Sequence, residues 1–484
     1  MKRILTTITA AFFAAITFAQ SGNDAFQFAQ TCYQGTAKAL GMANALGAVG
    51  GDMTAVCINP AGLGLYRGPE LTMSLNLLDN YCSSNYYDTR DGANKMRLTI
   101  PNLGFVHVKE RSNFRPLRFT QFGIGLTRTN DYNIRTAAKG INPTSSMIDS
   151  YLPQIDGFSN TDIQDAFPYT IFPAWQTYLI DIFQDSIGDY YSSPVPQGGI
   201  WQSLERNSTG RSEEWTFAGS ANYNDRLFIG GSIGLSHVKR KYNGVFEEWM
   251  PDNSLIDTDF NEWLFTESIT STGWGGNLKL GLIYHASSWL RFGAAFHSPS
   301  VYSFEETWQT ETESKINYVT RKYISPESHY EYTFFSPLKW MGSIAFVIAQ
   351  QSIISLDAEY TNYGASRFRA DDWDYSATNA DIKATYGRTF NFRFGSEWHF
   401  DDCCFRLGAG YYGSPFGLGN ANGSVKKASA GISYQLSLET TLDIAYELSY
   451  GKNRFTLYDA GSLGIDPVKQ RQFRSNLAFT LRIH

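Results

Sequence analysis

The sequence predicts an all-β chain, a 14-stranded antiparallel transmembrane β-barrel with a small N-terminal helical hatch in its lumen. Three observations lead there. From residue 70 onward the dominant hydrophobic period is two, the signature of strands with one apolar and one polar face. The connections between these strands alternate short and long, as when turns lie on one side of a membrane and loops on the other. Finally, 15% of the 484 residues are aromatic, 43 are glycine and only 18% are charged. That composition excludes disorder. Its slightly acidic balance of −6 speaks against a nucleic-acid partner. After the N-terminus no run of about 18 apolar residues occurs, so a helical membrane protein is excluded too.

Residues 1–19 read as a secretory signal peptide. Lys2 and Arg3 form its basic start, Ile4 to Phe18 its apolar stretch, and Thr17-Phe18-Ala19 the small-x-small cleavage site before Gln20. Its removal takes the net charge from −6 to −8. No cysteine sits at the cleavage point, so a lipid anchor is not expected. The five cysteines (Cys32, Cys57, Cys82, Cys403, Cys404) form neither a disulfide framework nor a zinc spacing, and the odd count leaves at least one unpaired.

Residues 20–69 are the expected hatch. Small residues dominate from Gly35 to Gly51, and Thr36–Ala48 reads as a short helix. Asp52 can cap a second turn, Met53–Cys57. Asn59 can cap a third, with Pro60 at its first position, where a missing N–H costs nothing, followed by Ala61 and Gly62. A loose periplasmic arm is the plainer alternative for this segment.

The barrel, residues 70–484, begins with strands near 70–79, 95–108 and 117–132. It continues with 212–223, 226–243, 264–285, 289–305, 330–348 and 352–369, then 386–400, 403–413, 424–437, 440–457 and 469–483. Leu442, Ile444, Tyr446 and Leu448, alternating with Asp443, Ala445, Glu447 and Ser449, show the period best. Short turns are expected at Lys109–Pro116, Asn224-Asp225, Ala286–Ser288, Ala349–Gln351, Asp401-Asp402 and Leu438-Glu439. Long loops are expected at Asn80–Asn94, Asn133–Arg211, Gly244–Trp263, Glu306–His329, Ala370–Thr385, Ser414–Gly423 and Tyr458–Val468. An even strand number puts both chain ends in the periplasm. Within Asn133–Arg211, Ser145–Leu152 and Ala174–Phe183 look helical. The length and apolarity of that loop mark it as functional. Aromatics such as Trp289, Phe304, Tyr446 and Tyr450 suit either interfacial girdles or core packing. A soluble all-β protein is the alternative architecture, but its strands would average about 5–6 residues.

Gly35–Leu65, with Gly-Met-Ala-Asn-Ala from Gly41, Gly51-Asp52 and Asn59-Pro60-Ala61-Gly62-Leu63, resembles the hatch of the FadL/TodX family of outer-membrane transport proteins. The resemblance continues through Ile100-Pro101-Asn102-Leu103-Gly104, Gly273–Leu282, Leu290–His297 and Arg393–Trp398. It implies a fourteen-stranded barrel plugged by a hatch and located in the outer membrane. It also implies uptake of long-chain fatty acids or other hydrophobic compounds, with release by hatch movement and a sideways exit through a kink in the wall. The sequence departs from the family in ending Leu481-Arg482-Ile483-His484 rather than with an aromatic, and in its very long Asn133–Arg211 loop.

Few motifs point to chemistry. Gly230-Gly231-Ser232-Ile233-Gly234 matches a nucleophile elbow, but it lies inside an alternating strand, whereas the elbow needs a strand-to-helix turn. The glycines fit close packing or bending of the wall better. None of the seven histidines has chelating spacing. Asp357, Glu359, Arg393, Glu397, Asp443 and Glu447 should face the lumen, since they alternate with Leu356, Ala358, Phe394, Leu442 and Tyr446 and a charge against lipid is costly. Most simply they brace the barrel. Alternatively Arg291, Arg393 or Arg406 meets a carboxylate ligand. The expected function is transport of hydrophobic small molecules, without covalent catalysis, metal or cofactor, in contact with outer-membrane lipid. The alternatives are a non-transporting scaffold or shuttle with an outer-membrane or periplasmic protein partner, and a haemin receptor.

Overall fold

Fourteen antiparallel strands pair in chain order, and the last pairs with the first, so the sheet has no free edge. The computed structural model describes residues 22–484 except 112–115, 185–188, 253–255, 350, 418–421 and 460–462. The expected signal peptide lies outside the described residues. The wall strands are β1 (Glu70–Tyr86), β2 (Thr89–Glu110), β3 (Leu117–Asp131), β4 (Ile200–Tyr223), β5 (Leu227–Trp249) and β6 (Phe260–His285). Next come β7 (Leu290–His297 and Val301–Ile316), β8 (Val319–Ile324, Ser328–Phe335 and Lys339–Ile348) and β9 (Ser352–Asn362 and Arg367–Arg369). Last are β10 (Arg388–Phe400), β11 (Cys403–Tyr412), β12 (Val425–Ser437), β13 (Thr440–Phe455) and β14 (Val468–Ile483).

The expected register holds. Asp357, Glu359, Arg393, Glu397, Asp443 and Glu447 are all buried in the lumen, while Leu356, Phe394 and Tyr446 lie exposed on the outer face. That face carries a belt of bare apolar side chains. On β5 it runs through Ile229, Ile233 and Leu235, then gives way to outward Lys239 and Lys241. Such a belt is stable only against lipid. Of the aromatics named above, Trp289 and Tyr446 stand on the outer face and Phe304 is buried inside.

Two expected long loops, Asn80–Asn94 and Glu306–His329, turn out to be mostly strand, and a third, Gly244–Trp263, is strand at both ends. β1 and β2 continue to a two-residue turn at Tyr87-Asp88, β5 and β6 extend to Trp249 and Phe260, and β7 and β8 meet at Asn317-Tyr318. Asn317 and Tyr318 both have positive φ (49° and 60°), as a tight hairpin turn requires. These extensions stand beyond the apolar belt, and their inward faces mix aromatics such as Phe246 and Trp263 with buried polar residues such as Thr310, Thr312 and Ser314, so hydropathy shows no steady period there.

The Asn133–Arg211 connection folds over the loop end of the barrel as a cap. Its Ile134–Asn142 strand pairs with β4. The expected Ser145–Leu152 helix is only two 3-10 turns, Ile148–Ser150 and Leu152–Gln154. The helices are instead α4 (Asn160–Ala166), started by a Ser159–Asp162 capping box, and α5 (Ile171–Gln176), which ends where Tyr178 takes a positive φ of 59°. Residues 181–183, expected as the end of a helix, belong instead to a short strand, Asp181–Gln184. Ile148, Phe167, Ile171, Phe246 and Trp263 form the core of this cap.

Ahead of the wall lie α1 (Gly22–Ala29), α2 (Ala37–Gly41), α3 (Met53–Ile58) and a 3-10 turn, Pro60–Leu65. All are packed inside the barrel. The α2 helix is shorter than the expected Thr36–Ala48, because Ala43 and Asn44 turn left-handed (φ 49° and 62°) and stop it. The α6 helix (Ser376–Thr385) lies in the connection between β9 and β10.

Candidate functional site

The plug is held at single atoms. Asp52 caps α3 by accepting the N–H groups of Thr54 (2.8 Å) and Ala55 (3.3 Å), and Thr36 donates to its other oxygen at 2.6 Å. Asn59 accepts the Ala61 N–H at 3.1 Å, with Pro60 opening the turn. Its amide donates to the carbonyls of Gly47 (2.7 Å) and Leu282 of the wall (3.2 Å). Asp52, Asn59, Pro60, Ala61 and Gly62 are all buried.

The wall receives the plug through glycines. A Cβ on Gly281 would overlap Asn59 Oδ1, and one on Gly230 or Gly293 would overlap the carbonyls of Pro60 or Gly47. This explains Gly230 in the Gly-x-Ser-x-Gly match: it makes room for plug backbone in mid-strand. Further round the wall Asp357 accepts the Gly47 N–H at 2.9 Å, and Ser429 accepts that of Ala43 at 3.2 Å.

Above the plug three neighbouring strands break at one height. β7 is interrupted at Ser298–Ser300, β8 at Ser336–Leu338 and β9 at 363–366. Pro299 and Pro337 have no N–H to give the ladder. Two bonds bridge β7 and β8 here: Ser336 N–H to the Ser300 carbonyl and Ser300 N–H to Ser336 Oγ, both at 2.9 Å. Behind the break, inside the lumen, lies a polar cavity of about 40 Å³. Lys279, paired with Glu214, lines it, as do His297, Lys339 and the α1–α2 linker. His297 Nε2 lies 2.8 Å from the Ile58 carbonyl, an acceptor only, so this nitrogen carries the hydrogen. Lys339 Nζ donates to Thr31 Oγ1 at 2.5 Å and has no carboxylate within ion-pair distance among the described residues.

Towards the cap the lumen turns aromatic. Phe28 of α1 stacks on Phe304 (4.6 Å between ring centres), beside Tyr302, Tyr332, Phe334 and Phe368. At the edge of this cluster lie the buried Arg240–Asp24 pair (2.5 Å) and Glu306, held by Ser271 and Tyr332.

The three expected ligand arginines fall in different surroundings. Arg393 is paired with Glu359 (3.1 Å) and Asp357 (3.9 Å), and Arg406 with Glu397 (2.5 Å) and Asp443 (3.0 Å). Arg291 is half-buried near the short-turn end, with no ion pair among the described residues. They are not brought together. Lys339 was overlooked in the sequence, although its place after Pro337 and between outward Leu338 and Trp340 marks it as an inward cation.

No protein-family model matches the chain, and no curated protein does. Among solved structures it is similar to a FadL homologue of Pseudomonas aeruginosa, at 12% identity and a TM-score of 0.54 over 94% of this chain and 98% of that one. It is also similar to the toluene transporter TodX of Pseudomonas putida, at 12% identity and a TM-score of 0.51 over 90% of this chain and 95% of that one. The chain therefore has the FadL/TodX-type fold.

Proposed function

We propose that this barrel carries hydrophobic small molecules across an outer membrane, with the helical plug as its gate. One observation carries the reading: between the apolar cap and a small polar cavity at a break in the wall, the lumen is lined by aromatic side chains against which α1 of the plug packs. An apolar ligand is caught at the cap by burial, at about 25 cal/mol per Å², and moves along Phe304, Tyr332 and Phe334. Below them the plug blocks the straight path, so the break across β7–β9 is the available sideways exit. No covalent step is needed. Orientation follows from the loops: the cap faces outwards and the short turns face the periplasm.

Lys339 is the candidate contact for a carboxylate-bearing ligand, because Arg393 and Arg406 already have partners and Arg291 lies beyond the plug. The test is mass spectrometry of small molecules retained by the purified protein, followed by uptake into vesicles carrying the barrel. Lys339→Gln should lower uptake of a fatty acid several-fold and leave that of a neutral aromatic hydrocarbon unchanged. Deleting 35–64 should raise conductance and lower uptake of both. If neither compound enters faster than in empty vesicles, transport is refuted and a scaffold role gains.

A further inference from the structure

We propose that the barrel binds a thiophilic divalent cation, Zn²⁺ first, at its short-turn rim, through Glu397, His399 and Cys404. These residues belong to the β10–β11 hairpin, turned by Asp401-Asp402. His399 and Cys404 are directly opposite in register, and Glu397 stands two residues up on the same face. Opposite and diagonal neighbours in a hairpin are close enough to share one ligand. Here the carboxylate oxygen, imidazole nitrogen and sulfur all lie within 4.8 Å of one another.

A second observation orients the imidazole. His399 Nδ1 is 3.1 Å from the Gln351 carbonyl. A carbonyl only accepts, so Nδ1 carries the ring hydrogen and the neutral ring keeps its lone pair on Nε2. Metal-binding histidines are held in this way, with the other nitrogen donating to a carbonyl. The lone pair faces Glu397 Oε1 at 3.5 Å. Glu397 Oε2 takes the Arg406 Nε–H at 2.5 Å, which leaves Oε1 for a metal. Cys404 is an unpaired thiol. Sulfur, imidazole and carboxylate together are a zinc donor set, with a fourth position left for water.

Charge and access agree. The Glu397 and Cys404 side chains are buried, while His399 is half exposed and opens the site to solvent. Lys38 of the plug and Arg406 both act on Glu397, and Arg406 is also held by Asp443 at 3.0 Å. Zn²⁺ displaces the thiol proton of Cys404 to solvent. The thiolate and the Glu397 carboxylate together neutralise the ion.

The experiment titrates the full chain in detergent with Zn²⁺, and with Co²⁺ as its spectroscopic substitute. One ion per chain is expected, with a thiolate-to-Co²⁺ charge-transfer band. Cys404→Ser should abolish the band. His399→Ala, at a half-exposed position, should weaken Zn²⁺ binding by about tenfold or more. Cys82→Ser and His484→Ala should bind like the parent. Absence of stoichiometric binding, a band that survives Cys404→Ser, or binding lost in His484→Ala would each overturn the proposal. Unchanged heat-modified mobility on gels shows that each variant is folded.

Discussion

Gly281→Ala adds one methyl group and should unseat the plug. The new Cβ would overlap Asn59 Oδ1 and sit 2.9 Å from both Ala61 N and Pro60 Cδ. The wall cannot yield, because β6 is bonded to β5 and β7 on either side of this residue. Asn59 must move instead, and with it go three hydrogen bonds: to Gly47 O, to Leu282 O and from Ala61 N. At about 0.5–1.5 kcal/mol net for each, docking weakens by about 2–4 kcal/mol. That is a factor of roughly thirty to several hundred in the ratio of docked to undocked plug. Gly219→Ala is the control, since nothing lies within 4 Å of the Cβ it would add. Single-channel recording in planar bilayers should show frequent large openings for Gly281→Ala and the parent trace for Gly219→Ala. Both barrels should keep their heat-modified mobility, because the ladder is untouched. Identical traces for the two variants would refute the seating argument.

Three further outcomes are expected. Protease added to intact cells should cut within residues 143–199 and spare Asn224-Asp225; cleavage at that turn from outside would reverse the orientation. Arg393→Met leaves Glu359 and Asp357 without their guanidinium and should destabilise the barrel by about 3–5 kcal/mol, read as a lower unfolding temperature in detergent. Glu248 lies in the cap, beyond the apolar belt. Burial pushes its carboxyl up from 4.5 to about 7, against the donors Ser146, Trp263, Met147 and Gln202. A carboxyl that binds its proton more tightly when folded stabilises the cap below pH 4.5 and loses that contribution as pH rises through 7, by about 3 kcal/mol at most. Hydrogen exchange of the cap should therefore quicken between pH 5 and pH 8 beyond its intrinsic rate, and Glu248→Gln should flatten that dependence.

Period two was enough to find the wall, because lipid on one side and a filled lumen on the other force alternation on every crossing strand. It was not enough above the belt. Thr310, Thr312 and Ser314 of β7 are buried, yet they are polar, because they pack under the cap rather than in an apolar core. A hydropathy reading therefore takes them for loop. The caps at Asp52 and Asn59 were legible because capping is local: the donor lies two or three residues from the acceptor. The seat of the plug was not, since Gly281 meets Asn59 across more than two hundred positions. Pro299 and Pro337 were visible one by one, but that they interrupt adjacent strands at one height is a matter of register.

The two sides of the lumen differ in a way that constrains any path through it. From β9 to β14 the plug leans on linked charges: Asp357 and Glu359 with Arg393, Glu397 with Arg406, and Asp443 with both Arg406 and Arg482. Pulling one member out leaves a buried charge uncompensated, at about 3–5 kcal/mol. An apolar molecule offers nothing in exchange, so this side is closed to it. From β7 to β9 the surface beside α1 is aromatic, and the contacts it gives up to a ligand are of the same kind as those it gains. Separating Phe28 from Phe304 costs apolar burial that the ligand restores. The wall break lies at the foot of this aromatic side, among β7, β8 and β9, where the ladder is already thin. A route that follows the aromatic side disturbs two hydrogen bonds between Ser300 and Ser336, worth about 1–3 kcal/mol net. A route down the charged side disturbs several ion pairs. If both were tested by cross-linking, a disulfide joining β7 to β8 at Ser300 and Ser336 should stop uptake of apolar compounds. One joining β10 to β11 beside Arg393 should leave uptake intact, and the opposite pattern would place the path on the charged side.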